Sequence, residues 1–275
     1  MIYKIQDNKI IVTDKSQFNP EHILECGQVF RFGKDNLGNY YVISKNHKAT
    51  IIETHTSYEI DCDDNDYFIN YFDLNTDYNS IKKILSQNEV LRPMIEHGYG
   101  IRILNADPVE MIISYVISQN NNIKRIQTII ERLCQIGKNM GTYNAFPTIE
   151  EFSTQPFEFY QNLGAGYRDK FLKSVTDTLS CTDIDNLLNL SSTELYEFLI
   201  SLNGVGPKVA SCILLFGFHK TDKFPVDTWI EQVYYNHFSN KKRSRPEIQK
   251  YFEDMFGEYS GIAQQYLFYY EREKN

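Results

Sequence analysis

The spacing of apolar residues changes part-way along this chain, and that change limits the fold more than any other feature. Ile2-Tyr3-Lys4-Ile5 and Lys9-Ile10-Ile11-Val12 are short β-branched runs split by Asp7-Asn8. Tyr40-Tyr41-Val42-Ile43 and Ala49-Thr50-Ile51-Ile52-Glu53-Thr54 follow, between turn-rich pieces such as Asp35-Asn36-Leu37-Gly38-Asn39. Runs of this length between turn residues predict an antiparallel sheet. From about Ser80 apolar residues recur every three or four positions, in Pro108 to Tyr115, Ile123 to Leu133, Tyr167 to Leu179, Thr193 to Leu202 and Ser260 to Tyr270. That period predicts helices, with Asp107 before Pro108, and Ser192 or Thr193, as N-terminal caps. The expected class is α+β, an N-terminal antiparallel β subdomain over 1–85 followed by an all-helical body over 86–275.

Composition removes several classes. With 275 residues, 42% hydrophobic and 23% charged, the chain can bury a real core. The longest apolar stretch, Ile213 to Phe218, falls far short of the roughly 20 residues that span a bilayer. Met1 to Asp7 lacks the basic, apolar and small-residue regions of a signal peptide, so the expectation is a cytoplasmic protein with no membrane partner. Cys26, Cys62, Cys134, Cys181 and Cys212 are dispersed without CxxC spacing, which argues against disulfides and structural metal. A net charge of −8 counts against nucleic acid as a partner, because affinity for a duplex usually rests on Lys and Arg neutralising phosphates. The acidic clusters sit apart, however, at Asp61 to Asp66 and Glu150 to Glu158. A binding face needs only local positive charge and backbone donors.

Leu202-Asn203-Gly204-Val205-Gly206-Pro207-Lys208-Val209-Ala210 is the most informative segment. One helix ends at Leu202, two glycines permit unusual backbone angles, and Pro207 suits the first turn of the next helix. Free N–H groups and the dipole at that second helix's N-terminus form an anion site that fits a DNA phosphate. A plain corner between two helices uses glycines the same way. Lys208 sits next to the positive end of the dipole, which predicts a lowered pKa and a nucleophilic amine able to attack a sugar C1′. A lysine that merely touches phosphate fits the spacing equally. Further on, Phe224-Pro225-Val226-Asp227-Thr228-Trp229 places Asp227 where a helix starts. It is either an ordinary N-cap, a carboxylate that steadies an oxocarbenium-like sugar, or both.

Gly204-Val205-Gly206-Pro207-Lys208 followed by Pro225-Val226-Asp227 resembles the helix–hairpin–helix glycosylase superfamily with its Gly/Pro-rich loop and aspartate, and within it the 8-oxoguanine DNA glycosylase/lyases. The resemblance runs nearly end to end. It implies a TATA-binding-protein-like N-terminal subdomain, and a monomer, nucleoid-associated if bacterial, acting on double-stranded DNA that contains 8-oxoguanine. It implies Lys208 as nucleophile and Asp227 as its partner, with Gly204, Val205 and Gly206 on a phosphate. Ser118-Gln119-Asn120-Asn121-Asn122-Ile123-Lys124-Arg125 looks like the segment that fills the gap left by a flipped base, with Asn120 and Arg125 on the orphaned cytosine. Donor and acceptor groups of these types suit a base edge, although asparagines also make polar turns and caps. Leu163-Gly164-Ala165-Gly166-Tyr167-Arg168 looks like the second such element. There Tyr167 would wedge into the stack, offsetting part of the unstacking cost, and Arg168 would hydrogen-bond the orphaned base.

For the flipped base the resemblance implies a pocket of Gln264 on the Watson–Crick edge, Phe268 on one ring face and Cys212 on the other. Gln264 and Phe268, four apart, share a helix face. Cys26-Gly27-Gln28-Val29-Phe30-Arg31 looks like the loop whose Gly27 carbonyl reads N7–H, a hydrogen that guanine lacks, and such a contact discriminates strongly. Trp229 stands where the family often has a phosphate-side histidine, so that role is not transferred. No cofactor is required; the carbonyls of Ile200, Leu202 and Val205 match positions that hold a monovalent or calcium ion.

The implied activity is excision of 8-oxoguanine, and of formamidopyrimidine, with Schiff-base chemistry and β-elimination. Three other readings remain at this level. A glycosylase for another damaged purine shares the fold, but a monofunctional alkyl-base enzyme would not need Lys208, and an iron–sulfur type would need four late cysteines where none lies beyond Cys212. A non-catalytic helix–hairpin–helix module would need the hairpin alone. A helical interaction protein would suit the −8 charge.

Overall fold

Alternation of apolar and polar residues makes the first part a sheet. In a computed structural model, which describes residues 2–274, six strands form one antiparallel sheet in the order β1-β2-β6-β5-β4-β3. They are β1 (Tyr3–Gln6), β2 (Lys9–Val12), β3 (Phe32–Lys34), β4 (Tyr40–Ser44), β5 (His47–Glu53) and β6 (Tyr58–Cys62). Asp7 and Asn8, with φ of 50° and 60°, form the two-residue turn between β1 and β2 that the right-handed twist of a hairpin favours. Ile10 faces Ile60, Ile60 faces Ile51, and Ile51 faces Tyr40, so one row of apolar side chains crosses four strands and is buried.

Two strands escape sequence reading. β3 is three residues long and contains Gly33, and it exists because Tyr41 and its neighbours supply a pairing edge. β6 alternates Tyr58, Ile60 and Cys62 with Glu59 and Asp61 on the other face, and it runs into the acidic cluster from Asp61 to Asp66, which masks it. Helices also begin earlier than the change of period at Ser80: Asn65–Tyr71 is helical, with the Asp64 carboxylate accepting from the Tyr67 N–H at 3.0 Å. Two turns are too short for a 3.6-residue period to declare itself.

The helical body is organised by two helices that are apolar on almost every side, Pro108–Ser118 and Pro207–Gly217. An amphipathic helix lies on a surface; one that is apolar all round must be central. They pack so closely that a Cβ at Gly217 would stand 2.9 Å from that of Met111. Ile123–Leu133 and Asp169–Ser180 keep the expected single buried stripe. The cap expectations hold at Asp107, whose side chain accepts from Glu110 N–H, while the Thr193 run starts one residue early with a Ser191–Glu194 capping box. Among the described residues no helix is long and apolar enough to cross a membrane.

Buried polar groups join sheet to body. Arg102 is wholly buried, and its guanidinium donates to the carbonyls of Phe72, Gln17, Asp73 and Thr76. Glu110, on the central Pro108–Ser118 helix, accepts from the Lys45 N–H at 2.9 Å. Burial, opposed by Arg31, lifts its carboxyl from 4.5 to about 7. An acid whose pKa is higher folded than unfolded contributes stability that is complete below the unfolded value and is lost as pH rises through the folded one. Glu110→Gln, which keeps an acceptor for Lys45, is therefore expected to gain on the parent between pH 5 and pH 8, by about 3 kcal/mol from this group. Thermal melts of both proteins at the two pH values check it; a constant difference in Tm would remove Glu110 as the titrating group.

Candidate active site

The hairpin between Ser192–Ser201 and Pro207–Gly217 is built as its sequence requires. Val205 N–H closes the turn on the Leu202 carbonyl at 3.0 Å. Gly204 has φ +86°, and a Cβ there would stand 2.5 Å from the Phe171 ring, so only glycine fits. Gly206 differs from expectation. Its φ is −94°, which any residue adopts, and it is the helix N-cap with open space where a Cβ would be. Its smallness leaves room for an incoming group. No side chain caps this helix, so the first-turn N–H groups are available to an anion.

Six of the singled-out residues, Gly27, Lys208, Cys212, Asp227, Gln264 and Phe268, line one cleft, together with Cys26, Tyr115, Phe216, Pro225 and Gln265. Those six come from four places in the chain: the loop after the short helix Pro20–Leu24, the Pro207–Gly217 helix, the start of Thr228–Val233 and the last helix, Ser260–Lys274. Larger hollows of 570 Å³ along β1–β2 and 540 Å³ beside Tyr251 carry no such set, so chemistry rather than size selects the cleft. Its volume is 40 Å³, little more than the roughly 30 Å³ share of one water. The reason is Phe268, whose ring edge lies 3.6 Å from where a Gly27 Cβ would be. Arg272 backs that ring at 5.6 Å and donates to the Glu25 carbonyl.

Lys208 corrects the expectation drawn from the helix dipole. Its ammonium is held above its ordinary value, by the Cys212 sulfur and then by Asp227, and burial only partly opposes them. Although the site crowds the amine, the residue stays exposed at the cleft mouth, which favours its charged form. The local anionic and sulfur partners outweigh the dipole's partial charge. Burial pushes the Cys212 thiol up, opposed by the neighbouring ammonium. The Asp227 side chain accepts from Ile230 N–H at 2.9 Å as a true N-cap, and the same carboxylate lines the cleft. Gln264 is buried, and its Oε1 accepts from Gln265 Nε2 at 2.7 Å.

The residues singled out for an orphaned base gather on a neighbouring surface in unequal roles. Asn120 is exposed with φ 46°, whereas Asn122 caps Ile123–Leu133 and Asn121 donates back to the Ile117 carbonyl. Tyr167 is 56% exposed, an unusual position for a large ring, and leans edge-on against Phe171, the residue that also packs on Gly204. Arg125 is exposed and donates to the Gly164 carbonyl at 3.1 Å. Arg168 departs from the reading as an open base contact. It is 3% exposed, and its guanidinium is spent on the carbonyls of Gln119, Asn120 and Ala165. A buried guanidinium must satisfy its donors, and backbone carbonyls of both loops are what it meets.

Sequence reasoning missed Tyr115, which lines the cleft with its hydroxyl on the Gly27 carbonyl at 3.1 Å. Among twenty tyrosines nothing marks it. Among the described residues no group of three or more His, Cys, Asp and Glu could hold a metal ion.

Residues 10–112 match the family model of the 8-oxoguanine DNA glycosylase N-terminal domain. An N-glycosylase/DNA lyase of Saccharomyces cerevisiae is 30% identical over 267 residues, covering 81% of this chain and 69% of its own length. The Arabidopsis thaliana N-glycosylase/DNA lyase is 32% identical over 193 residues, covering 64% of this chain; the match spans about half, 53%, of the plant protein. The Clostridium acetobutylicum 8-oxoguanine glycosylase/lyase, solved with duplex DNA containing cytosine opposite 8-oxoguanine, superposes with TM-score 0.91 at 33% identity, covering 100% of this chain and 99% of that one.

The two duties of Asp227 are separable. Asp227→Asn retains an oxygen for the Ile230 N–H and should melt within a degree or two of the parent, whereas Asp227→Ala loses the cap and about 1 kcal/mol. Equal melting of the two variants would deny the cap any part in stability.

Proposed function

From the chain's membership of the 8-oxoguanine DNA glycosylase family, we propose that it is a bifunctional DNA glycosylase and AP lyase that excises 8-oxoguanine, and formamidopyrimidine, from duplex DNA in base excision repair. One observation carries the reading: the amine of Lys208, the carboxylate of Asp227 and the side chains and backbone of Gly27, Cys212, Gln264 and Phe268 share a single cleft beside an uncapped helix N-terminus. A non-catalytic hairpin module would have no use for that cleft, and an enzyme without covalent chemistry would have no use for the amine.

The hairpin at Gly204, Val205 and Gly206 grips a phosphate, while Asn120, Arg125 and Tyr167 enter the space vacated by the flipped nucleotide. Arg168 supports them from behind, and its transfer to the orphaned base would require exchange of carbonyl partners. Phe268 withdraws to admit the purine, which then lies between its ring and Cys212, with Gln264 on the Watson–Crick edge and Gly27 on N7–H. Once the ammonium has shed a proton, the Lys208 nitrogen bonds to C1′ as the C1′–N9 bond breaks, and the electron pair leaves with the base. The proton released by the amine is available to that leaving group. Asp227 steadies the positive charge on the sugar. A second proton passes from nitrogen to O4′ as C1′–O4′ opens, giving the protonated imine and a 4′ hydroxyl, after which removal of a C2′ proton expels the 3′ phosphate.

No cofactor enters these steps. The carbonyls of Ile200, Leu202 and Val205 are suited to a monovalent or calcium ion bridging to the phosphate. We take residues 1–85 as a TATA-binding-protein-like β subdomain and 86–275 as the helix–hairpin–helix body. The enzyme works as a cytoplasmic monomer, on the nucleoid if bacterial.

The −8 charge is answered locally. Lys241, Lys242, Arg243 and Arg245 form the densest basic run, and Arg245 returns to Glu231 at 3.0 Å, one helical turn beyond Asp227. We read this run as a second phosphate grip. Replacing Lys241 and Lys242 by Ala should lower the slope of log K against log salt by up to roughly 1.8, at about 0.9 per lost phosphate contact. An unchanged slope would take the run off the DNA.

The covalent step is tested by borohydride trapping on labelled 8-oxoguanine and undamaged duplexes. The parent protein should form an adduct with the lesion duplex alone, and Lys208→Gln should bind that duplex without trapping. Retained trapping in the variant would remove Lys208 from the nucleophile role.

A further inference from the structure

Tyr115 is 2% exposed under the cleft and takes no part in bond making. Its ring is fixed on two sides, stacked on Phe216 at 6.0 Å and met edge-on by Phe30 at 5.6 Å. The Lys208 Nζ lies 5.7 Å from its centroid. With the ring immobile the hydroxyl has a set aim, and it sits 3.1 Å from both the Gly27 and the Gln28 carbonyl oxygens. One phenolic hydrogen is shared between two acceptors, so each carbonyl keeps a lone pair for another donor.

Gly27 is the position where the carbonyl needs such support. Its φ of +82° is a conformation that glycine reaches easily, and the absent side chain leaves the peptide free to turn. The closed cleft has room for little more than one water, so without the hydroxyl the carbonyl would have few partners there, and rotating away would relieve it. The hydroxyl satisfies the oxygen without a ligand and keeps it where a base would meet it. Pre-organised in this way, the oxygen attracts a base bearing hydrogen at N7 and repels one with a lone pair there.

The geometry points to Tyr115 as a specificity-determining positioning residue, whose hydroxyl holds the Gly27 carbonyl in its base-reading orientation. This rests on the reading of the cleft as an 8-oxoguanine pocket. It adds a layer behind the residues that touch the base, and it places the selectivity partly on the Pro108–Ser118 helix.

The test uses Lys208→Gln protein, which binds without cutting, and three duplexes alike except for one nucleotide: 8-oxoguanine, guanine or a tetrahydrofuran abasic analogue. If Lys208→Gln shows no preference for the lesion over guanine, the pocket reading itself fails and this inference with it. Where the preference exists, adding Tyr115→Phe should weaken lesion binding roughly five- to tenfold and leave the guanine and abasic duplexes unchanged. An unchanged lesion-to-guanine ratio would overturn the proposal, and so would an equal loss on all three duplexes, which marks a purely structural residue. Side chains of matched size guard against a folding defect. para-Aminophenylalanine at position 115 restores a donor and should recover the ratio; para-methylphenylalanine should not.

Discussion

Packing of the Pro207–Gly217 helix against Pro108–Ser118 is the constraint on which the rest depends. Both are buried on nearly every face, so their relative position admits almost no adjustment without a void or a clash. Lys208, Cys212 and Phe216 recur at four-residue intervals on one helix and therefore face one direction. Tyr115 projects from the other into the same space. The cleft is thus the end of the core, and the wall that these two helices supply is as fixed as the core. The loop holding Gly27 and the helix holding Gln264 and Phe268 close it from outside, with Arg272 joining them through the Glu25 carbonyl and the Phe268 ring.

The same rigidity shapes the electrostatics. An amine at a helix N-terminus next to the Cys212 sulfur and a carboxylate keeps its proton, which suits it to an approaching polyanion before it suits it to attack. In the proposed reaction, reactivity comes with the substrate, when the purine displaces Phe268 and water leaves the cleft. Phe171 couples the two halves of the proposed DNA face, since it excludes any residue but glycine at 204 and supports Tyr167 from the side. Arg168 joins the Asn120 loop to the Tyr167 loop from within. Loss of its guanidinium would free both loops at once and orphan buried carbonyls.

The hairpin, its lysine and the aspartate were legible from neighbouring residues: two glycines where a helix should continue, a cation at the wrong helix end, and an acid where a helix begins. The β1–β2 turn and the Asp107 cap were legible for similar reasons, as backbone chemistry confined to neighbouring residues. β3 and the Asn65–Tyr71 helix were not, since one exists only through its partner strand and the other is too short to show a period.

Residue types and their order along the chain determined the class of fold, the starts of the Pro108 and Pro207 helices and which side chains were candidates for chemistry. Tertiary structure alone decided which candidates meet, that Lys208 holds its proton, that Arg168 is consumed by backbone carbonyls, and that Tyr115 stands behind Gly27. Each of these turns on charges or donors brought together from distant parts of the chain, and a Coulomb energy or a hydrogen bond depends on distance in space, which sequence separation does not specify.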